Sequence, residues 1–298
     1  MIYGGVPLFG TVRMTKDKVT GLVVGTRKSG TTWLYENLRR DPFFSLSSKV
    51  KESGYFSNEG KLGLTEYLNL YDDRDRCLIE VDTSVCYSDA AMSRIIKHNP
   101  DMRVVIIFRG PAEWLRSRYT HSFRKGEIIE QDVVDAVSNT SWLRSELEYT
   151  EIVERFDCLR ESGQLLLVPY ELLRHDPQIF YNHVAKFLAG DNSYKPIYVN
   201  ENVVNQSRTS VNKNITAFLS RVAIYARGKG LHNLVNFSKS IGIHKLLERS
   251  VVVHTDMNEL SVEVSIIEEQ FEKSLLFHKK LLQENELAQG HDHQSLSG

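Results

Sequence analysis

Apolar positions fall along this chain in short unbroken runs, separated by segments of helical period. The runs are GLVVG (21–25), CLIEV (77–81), RVVIIF (103–108) and QLLLVP (164–169). Continuous stretches of this length, rich in Val, Ile and Leu, suit parallel strands covered on both faces. Between them, residues 30–39, 88–98, 111–125 and 141–161 carry helix-like patterns, and the third opens on Pro111, a favoured first-turn residue. The alternation predicts an α/β fold with a central parallel sheet flanked by helices. Beyond about residue 190 the texture changes. AGDNSYKPIYVNENVVNQSRTS reads as an extended polar excursion, 212–248 and 257–285 as helical, and ENELAQGHDHQSLSG as a disordered tail. The expected organisation is an N-terminal extension (1–19), an α/β core (20–190), a helical or lid region completing the same domain (191–285) and a disordered tail (286–298).

Composition narrows the classes. A chain of 298 residues, 41% hydrophobic, is ample for one large domain. Lys plus Arg number 37 against 38 Asp plus Glu, a net charge of −1, which gives no sign of wholesale binding of nucleic acid or another dense polyanion and leaves room for a local basic pocket. Cys77, Cys86 and Cys158 are odd in number and fit neither a zinc site nor a C-x-x-C motif, so they read as free thiols of a reducing compartment. No apolar run approaches the roughly 18 residues of a membrane span. The first 20 residues lack a secretory core. The expectation is a cytoplasmic protein, with no metal site.

The chemistry-bearing stretch is GTRKSGTT (25–32), directly after the first apolar run. A strand that ends in a glycine-containing loop and opens into a helix makes an anion site, because backbone N–H groups and the helix dipole face the ligand. Gly25 and Gly30 have the spacing of the nucleotide-triphosphatase loop, G-x-x-x-x-G-K-[ST]. The position after the second glycine holds Thr31, however, and the lysine stands earlier, as Lys28.

With Trp33, this loop reads KSGTTW (28–33) and resembles the 5′-phosphosulfate loop of sulfotransferases that use 3′-phosphoadenosine 5′-phosphosulfate (PAPS). The resemblance implies a P-loop-like sulfotransferase fold with a C-terminal helical region. It implies that Lys28 reaches the oxygen bridging phosphate and sulfonate. Arg27 and the backbone of Ser29, Gly30, Thr31 and Thr32, with both threonine hydroxyls, would hold the 5′-phosphate end. Trp33 would flank the adenine. RVVIIFRGPAEWLRSRY (103–119) resembles the family's 3′-phosphate motif, which implies Arg109 and Ser117 as its donors. LLLVPYELLRHDPQIFYNHVAKFLAG (165–190) is similar to the family's strand, tyrosine–glutamate pair and helix; Tyr170 either touches the adenine or packs. NVVNQSRTS (202–210) resembles a segment covering the site, with Asn205, Ser207 and Arg208 as its polar members. The implied product is adenosine 3′,5′-bisphosphate (PAP), with no metal required.

Transfer to an alcohol needs a proton acceptor. VKESGYFSN (50–58) resembles the K-E-x-x-F-F segment of carbohydrate sulfotransferases typified by the heparan sulfate enzymes, which implies Glu52 as the base. Lys51 would lower its pKa or contact the sulfonate. The competing groups are His121, one turn beyond Ser117, Asp82, and His98, which reads rather as a helix-end cap. The chain departs from the carbohydrate enzymes' E-K-[ST]-P-x-Y, reading EVDTSVCYSD (80–89) without that lysine or proline. The balanced charge points to an acceptor of low charge: a hydroxyl, or an amine, of a neutral sugar, a lipid-linked glycan or a small natural product. Two rivals stand beside this reading. One is a small-molecule kinase using ATP and magnesium, with Asp82 ending a metal-holding strand. The other is a non-catalytic nucleotide-binding scaffold. Residues 212–248 fit a helical lid, a dimer contact or a membrane-surface contact, and the oligomeric state stays open, a homodimer included.

Overall fold

The computed structural model describes residues 17–57, 61–131, 133–200 and 272–295. Among these, five strands form one parallel sheet. They are β1 (Gly21–Gly25), β2 (Phe44–Ser45), β3 (Cys77–Val81), β4 (Arg103–Phe108) and β5 (Leu165–Pro169), ordered β2-β3-β1-β4-β5. The fold class is therefore as expected. The apolar runs are strands for a simple reason: every residue of β1, β3 and β4 is buried, so alternation would serve no purpose. β5, at the edge, has two half-buried positions.

The chain passes from β1 outward to β3 on one side and then returns to β4 on the other, so the strand order reverses beside β1. Ligands of open α/β sheets bind outside the carboxyl ends of the strands at such a reversal. The register of β1 against β4 slips between Val23 and Gly25. An extra residue of this kind re-aims the strand end as it enters the loop.

Helices α1 (Thr31–Arg40), α2 (Leu64–Leu68), α3 (Ala91–His98), α4 (Pro111–Lys125), α5 (Val133–Asn139) and α6 (Ser141–Ser145) follow in chain order. Then come α7 (Tyr149–Glu154), α8 (Asp157–Glu161), α9 (Tyr170–His175), α10 (Pro177–Ala189) and α11 (Glu272–Ser295). The long helix expected over 141–161 is instead three short ones. Most of the tail expected to be disordered is helical, since α11 runs through Ser295; Glu284, Glu286, Leu287 and Ala288 are strong helix formers. α10 shows how local sequence sets an element. Asp176 accepts the Ile179 N–H at 2.8 Å, Pro177 opens the first turn, and Gly190 ends it at φ 56°. Its apolar face, Phe180, Val184 and Leu188, joins Val23, Ile79 and Val105 in the core.

The chain divides into two compact units: Met1–Pro111 with Glu148–Val204 and Lys273–Gly298, and Ala112–Leu147 with Asn205–Glu272. The first holds the sheet. In the second, Arg118 is buried and makes a bidentate pair with Glu146, Nε to Oε2 at 2.7 Å and Nη2 to Oε1 at 3.2 Å. Its guanidinium lies 4.4 Å from the Trp142 ring centroid. No helix among the described residues is long and apolar enough to cross a membrane.

Candidate functional site

The loop after β1 is held from within. Thr26 donates its N–H to the Ile107 carbonyl at 2.6 Å, and its hydroxyl meets the Ser29 hydroxyl at 2.6 Å. Thr26 and Ser29 are fully buried. Lys28 and Gly30 both take left-handed backbone, φ 65° and 80°. Only at Gly30 is that conformation free of cost. A Cβ there would also come within 2.5 Å of Leu173 and 3.1 Å of Tyr170. α1 then starts with no side-chain cap. Its first-turn N–H groups are the orphan donors that anions satisfy. A loop with a close-approach glycine, an uncapped helix start and two adjacent threonines fits a phosphate group.

Arg109 follows β4 directly. Its Nη1 donates to the Lys28 carbonyl at 3.3 Å, and its guanidinium lies 4.8 Å from the Tyr170 ring centroid. The two motifs, far apart in sequence, thus touch, with Tyr170 against both. Trp33 is buried and packs edge-on to Phe180 at 6.0 Å. Arg27 lies over the Tyr87 ring at 4.9 Å. Ser117 and His121 are half-buried on α4, in the second unit. Arg208, Asn205 and Ser207 lie outside the described residues, as does the stretch 212–248.

Glu52 sits beside the loop. Its Oε1 accepts from Lys51 Nζ at 3.1 Å and from the Thr83 hydroxyl at 3.0 Å, and Lys51 Nζ also reaches the Thr31 hydroxyl at 3.2 Å. Lys51 therefore ties the carboxylate to the first turn of α1. Burial alone would raise the Glu52 pKa; Lys51, Thr83 and the charge of Arg27 outweigh it and hold the carboxyl below its usual value. The segment carrying Glu52 is pinned underneath. Asp82, fully buried, accepts the Gly54 N–H at 2.8 Å and the Ser84 N–H at 2.9 Å. Glu80 accepts from Tyr67 and Ser53, and burial followed by the charge of Asp82 pushes its pKa up to about 7. Both carboxyls behind Glu52 thus serve the loop rather than open space.

His98 is half-buried at the end of α3 and accepts the Val19 N–H at 2.9 Å. Desolvation, with Lys18 adding to it, pushes its pKa down to about 4, so it is a neutral acceptor. Sequence reading overlooked Thr83, Tyr149, Glu171 and His278. Thr83 stands within the stretch that departs from the carbohydrate pattern, and it supplies the hydroxyl on Glu52. Glu171 was visible as half of the tyrosine–glutamate pair. Tyr149 and His278 carried no signal beyond helical spacing.

Comparison with known proteins matches residues 19–218 to the sulfotransferase domain. A curated relative, the bifunctional heparan sulfate N-deacetylase/N-sulfotransferase 4 of Mus musculus, is 24% identical over 189 residues, covering 56% of this chain. The chain spans only 22% of that relative's length. Among solved structures, a sulfotransferase from Alicyclobacillus acidocaldarius superposes with a TM-score of 0.51 at 18% identity, covering 74% of this chain and 96% of its own, which supports the fold. A mouse sulfotransferase complexed with PAP gives a TM-score of 0.37 at 18% identity over 62% of this chain and 60% of its own.

Proposed function

The chain belongs to the sulfotransferase family, and on that premise we propose that it moves a sulfuryl group from PAPS to a hydroxyl or amine of a carbohydrate or small natural-product acceptor. The observation that supports this reading is the bond between Arg109 Nη1 and the Lys28 carbonyl, which holds Arg109, the arginine we assign to a second phosphate, against the loop after β1. A nucleotide with phosphates at both ends of its ribose needs two such centres; ATP needs one.

The nucleotide, when bound, supplies the sulfuryl group and leaves as PAP. The chain's own residues do the rest by position and charge. The uncapped first turn of α1 and the Thr31 and Thr32 hydroxyls hold the 5′-phosphate. Lys28 would supply an ammonium for the leaving oxygen as it gains negative charge, and so would act most strongly in the transition state. Arg109 takes the 3′-phosphate, and Tyr170 and Trp33 flank the base. Glu52, ionised, accepts the proton of the attacking group at a carboxylate oxygen. Balanced charge over the whole chain supports an acceptor of low charge.

Calorimetric titration tests the reading. PAP without magnesium should bind, the Arg109→Ala variant should lose at least roughly tenfold in affinity, and ATP with magnesium should bind weakly. Glu52→Gln should bind PAP normally and lose roughly 100-fold or more in turnover with labelled PAPS. Binding of ATP with magnesium alone would replace this reading with the kinase one. Normal turnover by Glu52→Gln would remove Glu52 as the base.

A further inference from the structure

The peptide unit joining Arg109 to Gly110 belongs to neither β4 nor α4. Both of its polar groups are nonetheless held by distant side chains. The Arg109 carbonyl accepts from the Tyr149 hydroxyl at 2.7 Å, and the Gly110 N–H donates to Glu171 Oε1 at 2.9 Å. Glu171 Oε2 in turn meets His278 Nε2 at 3.0 Å. His278 is only 6% exposed. It shares one buried face of α11 with Ser274 and Leu281, and the Ser274 hydroxyl accepts the Tyr149 N–H at 3.2 Å. One face of α11 therefore backs both side chains that hold this peptide.

We propose that Glu171, backed by His278, is a positioning residue for recognition of the nucleotide's 3′-phosphate: it fixes the Arg109–Gly110 peptide plane and so aims the Arg109 guanidinium. The inference rests on the reading above that Arg109 takes that phosphate. Tyr170 and Glu171 work as neighbouring prongs. The Tyr170 ring lies against the guanidinium, 4.8 Å away, while the Glu171 carboxylate holds the peptide that follows. An N–H donated to an ionised carboxylate in a partly dry setting is among the stronger hydrogen bonds. Glu171 is kept ionised: burial would raise its pKa, but His278 and the Gly110 N–H outweigh that and lower it. The three groups are also neighbours in space, since a Cβ on Gly110 would lie in ordinary contact, 3.4 Å from Glu171 Oε1 and 3.6 Å from the His278 ring. His278 lies beyond residues 19–218, so this support comes from outside the matched domain.

The test compares the affinities of the full chain for PAP and for adenosine 5′-monophosphate, with thermal melting as the check of folding. Glu171→Ala should lose roughly tenfold of the preference for PAP while its affinity for the monophosphate stays within about twofold. Glu171→Gln, whose amide oxygen still accepts the Gly110 N–H, should recover most of that preference, and His278→Ala should show a smaller loss of the same kind. An unchanged preference in Glu171→Ala overturns the proposal, and so does an equal fall for both nucleotides. If Glu171→Ala does not melt cooperatively, the other two decide: His278→Ala and Glu171→Gln both at the wild-type preference would overturn it, and a graded loss would support it. A wild-type chain that does not prefer PAP would instead remove the Arg109 reading, and this inference with it.

Discussion

Glu52 and His121 belong to residue types that ordinarily ionise in different pH ranges. An imidazole ordinarily titrates near 6.5. The Glu52 carboxyl sits below the usual carboxylate value because Lys51, Thr83 and Arg27 outweigh the effect of burial. A proton acceptor works only when deprotonated, so activity rises with pH through the acceptor's pKa and is flat above it. With Glu52 as base, kcat/KM should show no acidic limb between about pH 5.5 and 8. An acidic limb within that window that disappears in His121→Ala would hand the role to the histidine. The cost of lowering the Glu52 pKa is a weaker base. The same Lys51 ammonium that lowers it also reaches Thr31, at the start of the anion loop. The arrangement thus trades basicity for a fixed placement of the carboxylate against the candidate phosphate site, a sensible exchange where positioning supplies much of the rate.

At the scale of elements, the loop between β1 and α1 depends most on one residue. Gly30 needs left-handed backbone and close approach together. Gly30→Ala should lower the unfolding free energy by roughly 1–3 kcal/mol and weaken PAP binding at least tenfold, read by thermal melting and calorimetry. Wild-type stability and affinity in that variant would mean the loop relaxes freely. This loop was legible in the sequence because its chemistry is local: strand, two glycines and threonines lie within a dozen residues. The four long strands were legible for the same reason, since burial on both faces leaves a continuous apolar run. β2 was not, because two residues carry no period. Nor were the breaks within 141–161. Leu143, Leu147, Ile152, Val153, Phe156 and Leu159 are all buried, so the apolar pattern persists while the backbone turns twice. Neither Gly nor Pro marks those turns, and the capping is done by backbone bonds such as Phe156 N–H to the Val153 carbonyl at 2.8 Å.

Over the whole chain, the candidate site gathers residues from positions 28, 52, 109, 171 and 278, and legibility fell with separation. Helical spacing over 257–285 predicts a helix but not the surface that the buried residues of α11 meet. That surface is the end of β4 and the start of α7, where Phe277 packs edge-on to Phe108 at 5.0 Å and reaches Tyr149 at 6.5 Å. Neighbouring residues of α11 therefore do different work, Phe277 by packing and His278 through Glu171. The distinction is testable. Truncating a half-buried aromatic removes apolar contact without breaking a polar network, so Phe277→Ala should cost about 2 kcal/mol in urea unfolding. Its preference for PAP over the monophosphate should stay at the wild-type value, because the Gly110 N–H, Glu171 and His278 remain in place. His278→Ala should show the opposite balance, with less lost in stability and more in discrimination. If both variants lose stability and preference in the same proportion, α11 acts on the site only by holding the sheet together. A split between them would mean that the helix carries a specific polar contact to the nucleotide site on a packing face that would otherwise serve stability alone.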